Sequence, residues 1–132
     1  ETAFLHDYQE VANHQAFGTA IYLPGDGASG RMFAGWLGHR RSNYLEWRDV
    51  YVKKGGNYVV KFRAGSQEKR SFNVEVNGET VGTVSVNTND WNHFQEFELT
   101  LKLKAGSNRI QLYNADAWMP NIDNMTICSN SL

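Results

Sequence analysis

Three tryptophans lie in stretches of the sequence that show neither helical nor strand periodicity. Trp91 is flanked by Asp and Asn, Trp118 is followed directly by Met-Pro, and Trp36 lies in a short Gly-Trp-Leu-Gly run. A large apolar ring in a loop has to be covered by the protein's own core or by a ligand. These rings are therefore the first candidates for a binding surface.

Polar side chains cluster in sequence around the last of these tryptophans. Asn114, Asp116 and Asn121 lie within a few residues of Trp118. A sugar ring has an apolar C–H face and a polar rim, so an indole surrounded by Asn, Asp and Arg side chains suits such a ligand. Trp118 is the strongest candidate for ligand contact, because no strand pattern covers it.

The other tryptophans have competing explanations. Trp47 is flanked by an alternating apolar pattern, which is typical of a core position. Packing at the edge of a sheet explains Trp91 as well as a ligand would, and we therefore leave it outside the candidate set. Trp36 remains in the set beside Trp118.

No catalytic signature is present in the sequence. It contains no G-x-S-x-G nucleophile motif, no H-E-x-x-H zinc motif and no phosphate-binding loop. The four histidines show no metal-ligand spacing: His6, His14, His39 and His93. Glu75, Glu96 and Glu98 are expected to face solvent from alternating strands, although a glycosidase carboxylate pair stays open as an alternative. We expect no catalytic residue.

Composition narrows the class of protein. The 132 residues are enough for one domain, residues 1–132, with a single core. Thirteen basic and 14 acidic residues give a net charge of −1, so no basic surface predicts nucleic-acid binding. No apolar run is long enough to cross a membrane. The single cysteine, Cys128, excludes an internal disulfide and is expected to be a small apolar residue of the last strand. We expect a monomer.

The elements that would position these loops are strands. Residues 71–76 and 79–86 both alternate apolar and polar side chains, and Asn77-Gly78 between them favours a type I′ turn, which predicts a tight hairpin. The same alternation recurs at residues 57–63, 94–103 and 109–113, with turn residues at 105–108. Short strands without helices between them predict an all-β, antiparallel sandwich.

Several motifs in this order resemble carbohydrate-binding modules of families 6 and 35. They are Asn43-Tyr-Leu-Glu-Trp47, Val74-Glu-Val-Asn-Gly78, Leu103-Lys-Ala-Gly-Ser-Asn-Arg-Ile110 and the closing Pro120-Asn-Ile-Asp-Asn-Met-Thr-Ile127. The likeness extends from Ser29 to the C-terminus. It implies a jelly-roll β-sandwich of the galactose-binding-like type, usually attached to a glycoside hydrolase.

The resemblance also implies site residues. Asn121 matches the Asn that contacts sugar in these families, Trp118 matches the aromatic residue of the preceding loop, and Phe33 or Trp36 corresponds to a second aromatic. Arg40 could pair with a carboxylate, which would favour a uronic acid. The complete set expected to bind carbohydrate is Trp118, Asn121, Trp36, Phe33, Arg40, Asn114 and Asp116.

A structural calcium ion near the chain ends is a further implication of the resemblance. Asp123 matches the metal-binding Asp of the last strand, and Glu1 matches a Glu of the opening strand. Calcium needs six to eight oxygen ligands, so backbone oxygens of residues 28–31, that of Arg31 included, are expected to complete the shell. The alternative is that Asp123 only caps a strand edge.

These observations predict non-catalytic binding of an oligosaccharide or polysaccharide. The module would target an attached glycoside hydrolase to plant or microbial polysaccharide, with galactose-type sugars, xylan or mannan side chains, or uronic acids as ligands. We expect a mature domain excised from a longer bacterial protein that is secreted or displayed on the cell surface. A protein-interaction or adhesion sandwich is the alternative from another class.

Overall fold

A computed structural model describes residues 4–5, 21–24 and 32–129 of the chain. Within these ranges the chain forms ten strands and no helix. Consequently, nothing described there is a helix long and apolar enough to span a membrane. The strands are β1 (Phe4–Leu5), β2 (Ile21–Pro24), β3 (Met32–Gly35), β4 (Leu45–Val52), β5 (Gly56–Gly65), β6 (Arg70–Val76), β7 (Glu79–Val86), β8 (Gln95–Leu103), β9 (Gly106–Tyr113) and β10 (Asn121–Ser129).

The described strands pair into two antiparallel sheets of five. The first sheet has the order β1-β4-β9-β6-β7, and the second has the order β2-β3-β10-β5-β8. Every pairing in both sheets is antiparallel. The all-β sandwich predicted from the alternating patterns is confirmed.

The core fills the space between the two sheets. In β6, Phe72, Val74 and Val76 are buried while the residues between them are partly exposed, as a period of two requires. Phe62 of β5 meets Phe72 across the core edge to face, with ring centroids 5.4 Å apart and planes at 76°. Trp47 is 6% exposed, which confirms its predicted place in the core.

The hairpin between β6 and β7 forms as predicted. Asn77 and Gly78 have φ values of 51° and 91°, and Val76 pairs with Glu79 across the turn. Positive φ at both central residues is the signature of a type I′ turn, which Asn-Gly adopts at low cost.

The turn predicted at residues 105–108 forms, but at residues 104–105, because β9 already begins at Gly106. Asn108 is a buried strand residue with 1% exposure, and its side chain closes the turn from inside. Its Oδ1 accepts from the backbone N of Lys104 at 3.0 Å, and its Nδ2 donates to the Lys104 O at 2.9 Å and to the Val50 O at 3.2 Å. Asn108, a residue type common in turns, is therefore a buried strand residue whose side chain hydrogen-bonds to the backbone of the turn.

The longer connections lie together at one end of the sandwich. Short connections at residues 53–55, 77–78 and 104–105 occupy the opposite end, where a Cβ on Gly55 would lie 3.1 Å from the backbone N of Ala105. The longer ones are residues 36–44, 66–69, 87–94 and 114–120. The three loop tryptophans all belong to this second group.

Candidate functional site

A pocket of about 310 Å³ opens at the end of the sandwich that carries the longer connections. Its lining residues come from parts of the chain that are far apart in sequence: Phe33, Trp36, Arg70, Trp91 and Asn121. Three aromatic rings supply apolar surface, and one guanidinium and one amide supply hydrogen-bonding groups. The combination of apolar walls with a few polar groups is typical of small-molecule sites.

Phe33 forms a supported part of the lining. It is 7% exposed, and its ring lies 5.2 Å from that of Phe94 with the planes tilted by 56°. Phe94 is itself 5% exposed and has the Cζ of Arg63 5.9 Å from its ring centroid. Because packing fixes the ring from behind, Phe33 offers a rigid apolar surface to the pocket.

The loop that carries Trp91 is held by hydrogen bonds on both sides. The backbone N of Thr88 donates to the Ser66 O at 2.9 Å, and the Thr88 hydroxyl donates to the Asp90 O at 3.0 Å. Asn121 Nδ2 donates to the Trp91 O at 3.0 Å. The Asn121 amide is thereby oriented, and its Oδ1 has no hydrogen-bond partner among the described residues.

Arg70 lies over the indole of Trp91, with its Cζ 4.4 Å from the ring centroid. Its Nη1 donates to the Met119 O at 3.3 Å, and its Nε is 3.7 Å from Glu68 Oε2, on a side chain that is mostly in solvent. A guanidinium has five N–H donors. The remaining donors have no acceptor among the described residues, so they are available to a ligand.

Trp36 is positioned by a loop with an unusual backbone. Trp36, Gly38 and His39 all have positive φ, at 58°, 93° and 68°. Asn43 holds this conformation from inside the protein: it is completely buried, and its Nδ2 donates to the Trp36 O at 2.7 Å and to the Gly38 O at 3.1 Å. Two non-glycine residues in the left-handed region are strained, and such strain often accompanies functional sites.

Trp118 lies beside the pocket and is not one of its lining residues. It is half-buried, and the imidazole of His39 stacks on it with centroids 4.7 Å apart and planes at 11°. Trp36 contacts it nearly at right angles, with centroids 5.5 Å apart. Trp118 therefore contacts Trp36, which lines the pocket, without lining the pocket itself.

The other residues that were expected to bind carbohydrate do not line the pocket either. Asn114 is 8% exposed, and its Oδ1 accepts from the backbone N of Asp116 at 3.0 Å and of Ala117 at 3.1 Å, while its Nδ2 donates to the Ser71 O at 3.1 Å. Asn114 thus shapes the loop before Trp118. Asp116 is exposed and Arg40 is partly exposed.

The expected set and the pocket overlap in part. Phe33, Trp36 and Asn121 are brought together, whereas Arg70 and Trp91 line the pocket without having been included. Trp91 had a sequence signal, since it lies in a loop rich in turn-forming residues. Arg70 had none, because it is the first residue of an ordinary alternating strand.

Asp123 is the one member of the expected calcium set that the structure describes, because Glu1 and Arg31 lie outside the described residues. Its side chain is completely buried at a bulge of β10, and its Oδ2 accepts from Arg63 Nε at 2.9 Å. Among described residues no three His, Cys, Asp or Glu side chains converge as a metal site. The buried carboxylate suits calcium chemically, but it would need several further oxygen ligands from elsewhere.

A second, smaller recess of about 110 Å³ contains two carboxylates and bears on the glycosidase alternative. Glu46 accepts from Arg48 Nε at 2.9 Å and from Gln111 Nε2 at 2.7 Å. Glu75 accepts from Arg41 Nη2 at 2.6 Å. Both carboxylates are engaged by basic or amide side chains of the protein itself.

The sequence of residues 12–129 matches the family described as carbohydrate binding module (family 6). No curated protein matches the chain. The structure is similar to a family 35 carbohydrate binding module from Clostridium thermocellum, with a TM-score of 0.80 and 27% identity over 97% of this chain and 98% of that one.

Two further structures share the fold at lower identity. A CBM35 from Paenibacillus barcinonensis has a TM-score of 0.77 and 19% identity over 98% of this chain and 100% of that one. An exo-beta-1,3-galactanase from Phanerochaete chrysosporium, solved with beta-1,3-galactotriose, has a TM-score of 0.74 and 24% identity over 96% of this chain and 28% of the enzyme.

Proposed function

Because the chain belongs to the family 6 carbohydrate-binding modules, we propose that it binds a saccharide at the pocket described above and catalyses no reaction. The observation that carries the proposal is the convergence of three aromatic rings with Arg70 and Asn121 around one recess. These groups complement the apolar face and the polar rim of a sugar ring.

Each lining group has a role in this proposal. Trp36 and Trp91 stack against the ligand, and Phe33 supplies the apolar surface behind it. Asn121 Oδ1 accepts from a sugar hydroxyl, and the available N–H groups of Arg70 donate to ring substituents. A small site of this kind binds in the micromolar to millimolar range, or about 4–8 kcal/mol.

The biological role that we propose is targeting of an attached glycoside hydrolase to plant or microbial polysaccharide. The galactanase that shares the fold supports this idea, since the matching region is 28% of a longer enzyme chain. Weak binding is sufficient for such a role, because tethering raises the effective concentration of the enzyme at its substrate. We place the module, as a monomer, in a bacterial protein that is secreted or displayed on the cell surface.

We also propose a structural calcium ion with Asp123 as a ligand. The support is a completely buried carboxylate at the β10 bulge, since carboxylate oxygens are calcium ligands. Bound calcium would stabilise the folded state by mass action. A chelator should therefore lower the Tm and added calcium should restore it, whereas an unchanged Tm would contradict the calcium proposal.

A glycan array that contains galactans, xylans, mannans and uronic-acid-terminated oligosaccharides tests the function. We expect a saturable signal for wild-type protein and a loss of at least about tenfold in affinity for Trp36→Ala, because a stacking aromatic dominates small interfaces. Tyr51→Ala is the matched control: it removes an aromatic ring that is 69% exposed and lies outside the pocket. Its affinity should equal that of wild type.

Two outcomes would contradict the proposal. An array with no saturable sugar signal would favour the protein-interaction alternative. Release of reducing sugar from a bound polysaccharide, abolished by Glu46→Gln or Glu75→Gln, would instead reveal a glycosidase.

A further inference from the structure

The imidazole of His39 lies flat against Trp118 at the border of the pocket. The two ring centroids are 4.7 Å apart and the planes differ by 11°. Trp118 in turn contacts Trp36, which lines the pocket. The indole next to the proposed sugar site is therefore covered on one face by a ring of the protein itself.

The backbone on both sides fixes this arrangement. The N of His39 donates to the Ala117 O at 2.8 Å, and the N of Met119 donates to the Leu37 O at 2.9 Å. Between these bonds, Gly38 has a φ of 93°, and a Cβ there would lie 2.6 Å from the Ala117 O. The loop thus approaches the Trp118 segment so closely that the His39 side chain is directed onto the indole.

Stacking is the only described interaction of the His39 ring. Its nitrogens have no hydrogen bond to the described residues, and the residue as a whole is exposed. A flat ring that lies parallel to an indole occupies the position that a stacked sugar would take. His39 and a second sugar residue would therefore compete for the same face of Trp118.

We propose that His39 restricts the site to a single sugar residue by covering this face of Trp118, so that the module recognises a saccharide terminus in place of a longer stretch of chain. This inference rests on the proposed function, because it assumes that the first sugar binds in the pocket beside Trp36. His39 acts as a specificity-determining residue, and its removal should create a second stacking platform.

Titration calorimetry with a saccharide ladder tests the proposal. The probes are galactose, beta-1,3-galactobiose and beta-1,3-galactotriose, together with the corresponding xylose, mannose and uronic-acid-terminated ladders. For wild type we expect monosaccharide and trisaccharide affinities within about twofold of each other. For His39→Gly, which tolerates the positive φ, the trisaccharide should bind about fivefold more tightly than the monosaccharide.

Three further variants separate this effect from a general disturbance of the loop. His39→Asn also tolerates a positive φ and lacks a flat aromatic ring, so it should show the same chain-length gain. His39→Phe keeps a ring on Trp118 and should retain the wild-type ratio. The double variant His39→Gly with Trp118→Ala should lose the gain, because no platform remains.

The outcomes distinguish a failure of the role proposed for His39 from a failure of the proposed sugar site. A wild-type affinity that already rises strongly from monosaccharide to trisaccharide, or an unchanged ratio in both His39→Gly and His39→Asn, overturns the role of His39 and leaves the sugar site intact. Failure of every ladder to bind wild-type protein overturns the proposed function and this inference together.

Discussion

Arg70 is the only charged side chain among the described residues that line the pocket. Its Cζ lies 4.4 Å from the centroid of the Trp91 ring, and its Nη1 donates to the Met119 O at 3.3 Å, so the guanidinium is held at the wall of the recess. A planar guanidinium binds a carboxylate through two parallel hydrogen bonds, and such bonds are about twice as strong as neutral ones. If the sugar binds as proposed, we expect Arg70 to favour a uronic acid over the neutral hexose of the same stereochemistry.

We therefore expect a uronic acid to bind more tightly than the matching neutral sugar and to lose affinity as salt is added. Arg70→Gln should reduce uronic acid affinity by about 12-fold to 140-fold, because a hydrogen bond to a charged group contributes about 1.5–3 kcal/mol. Affinity for the neutral sugar should fall less. Calorimetry at two salt concentrations measures both effects.

Two other variants test whether the preference for a uronic acid depends on Arg70 in particular. Lys69→Gln removes the same charge from an exposed neighbour of Arg70 and should leave the preference unchanged. Arg40→Gln removes the charge of the residue that the sequence predicts to pair with the carboxylate of a uronic acid. If Arg40→Gln abolishes the preference and Arg70→Gln does not, the assignment to Arg70 is wrong.

Individual site residues were predictable only where a loop aromatic or the family likeness marked them. Phe33, Trp36 and Asn121 were marked in one of these ways, and all three line the pocket. Arg70 escaped prediction because its position in an alternating strand resembles that of any exposed strand residue. Trp118 carries the strongest sequence signal, yet contact with His39 covers one of its faces, and a spacing pattern contains no information about such a contact.

Strands and loops differ in how far the sequence determines them. Alternation and the Asn77-Gly78 turn predict β6 and β7, because a period of two fixes which face is buried. The loop at residues 36–43 is different: its left-handed residues are maintained by the buried amide of Asn43, which is a tertiary contact. Asn108 illustrates the same limit, since a residue typical of turns serves as a buried cap within β9.

The close approach of β5 to the loop that carries Trp91 leads to a prediction about Gly65. A Cβ at Gly65 would lie 2.6 Å from the backbone O of His93, so Gly65→Ala should displace this loop and with it the indole of Trp91. We expect sugar affinity to fall several-fold together with the Tm. Thermal unfolding and calorimetry measure the two quantities separately.

Gly78→Ala is the matched control for this variant. Gly78 has a φ of 91° with no atom within 4 Å of an added Cβ, so the substitution introduces backbone strain without a clash. Strain of about 1–2 kcal/mol should lower the Tm while sugar affinity stays at the wild-type value. Wild-type affinity in Gly65→Ala would show that the loop does not depend on this contact.

The whole sandwich explains why the site lies where it does. Connections between antiparallel strands alternate between two ends, and in this chain the longer ones collect at the same end. The ends of β3 and β5 and the starts of β6 and β10 meet there, so residues as distant in sequence as Phe33 and Asn121 share one recess. The sandwich itself was predictable from alternation, whereas the sheet order that brings these ends together depends on long-range pairing.

We propose that a sugar binds between Trp36 and Trp91. The indole N–H signals of the four tryptophans in ¹⁵N-labelled protein, recorded during titration with the glycan selected by the array, test it most directly. We expect the signals of Trp36 and Trp91 to shift with a common, saturable dependence, while that of Trp47 in the core stays in place. A saturating ligand that leaves both pocket indoles unshifted and moves other signals instead would contradict the claim.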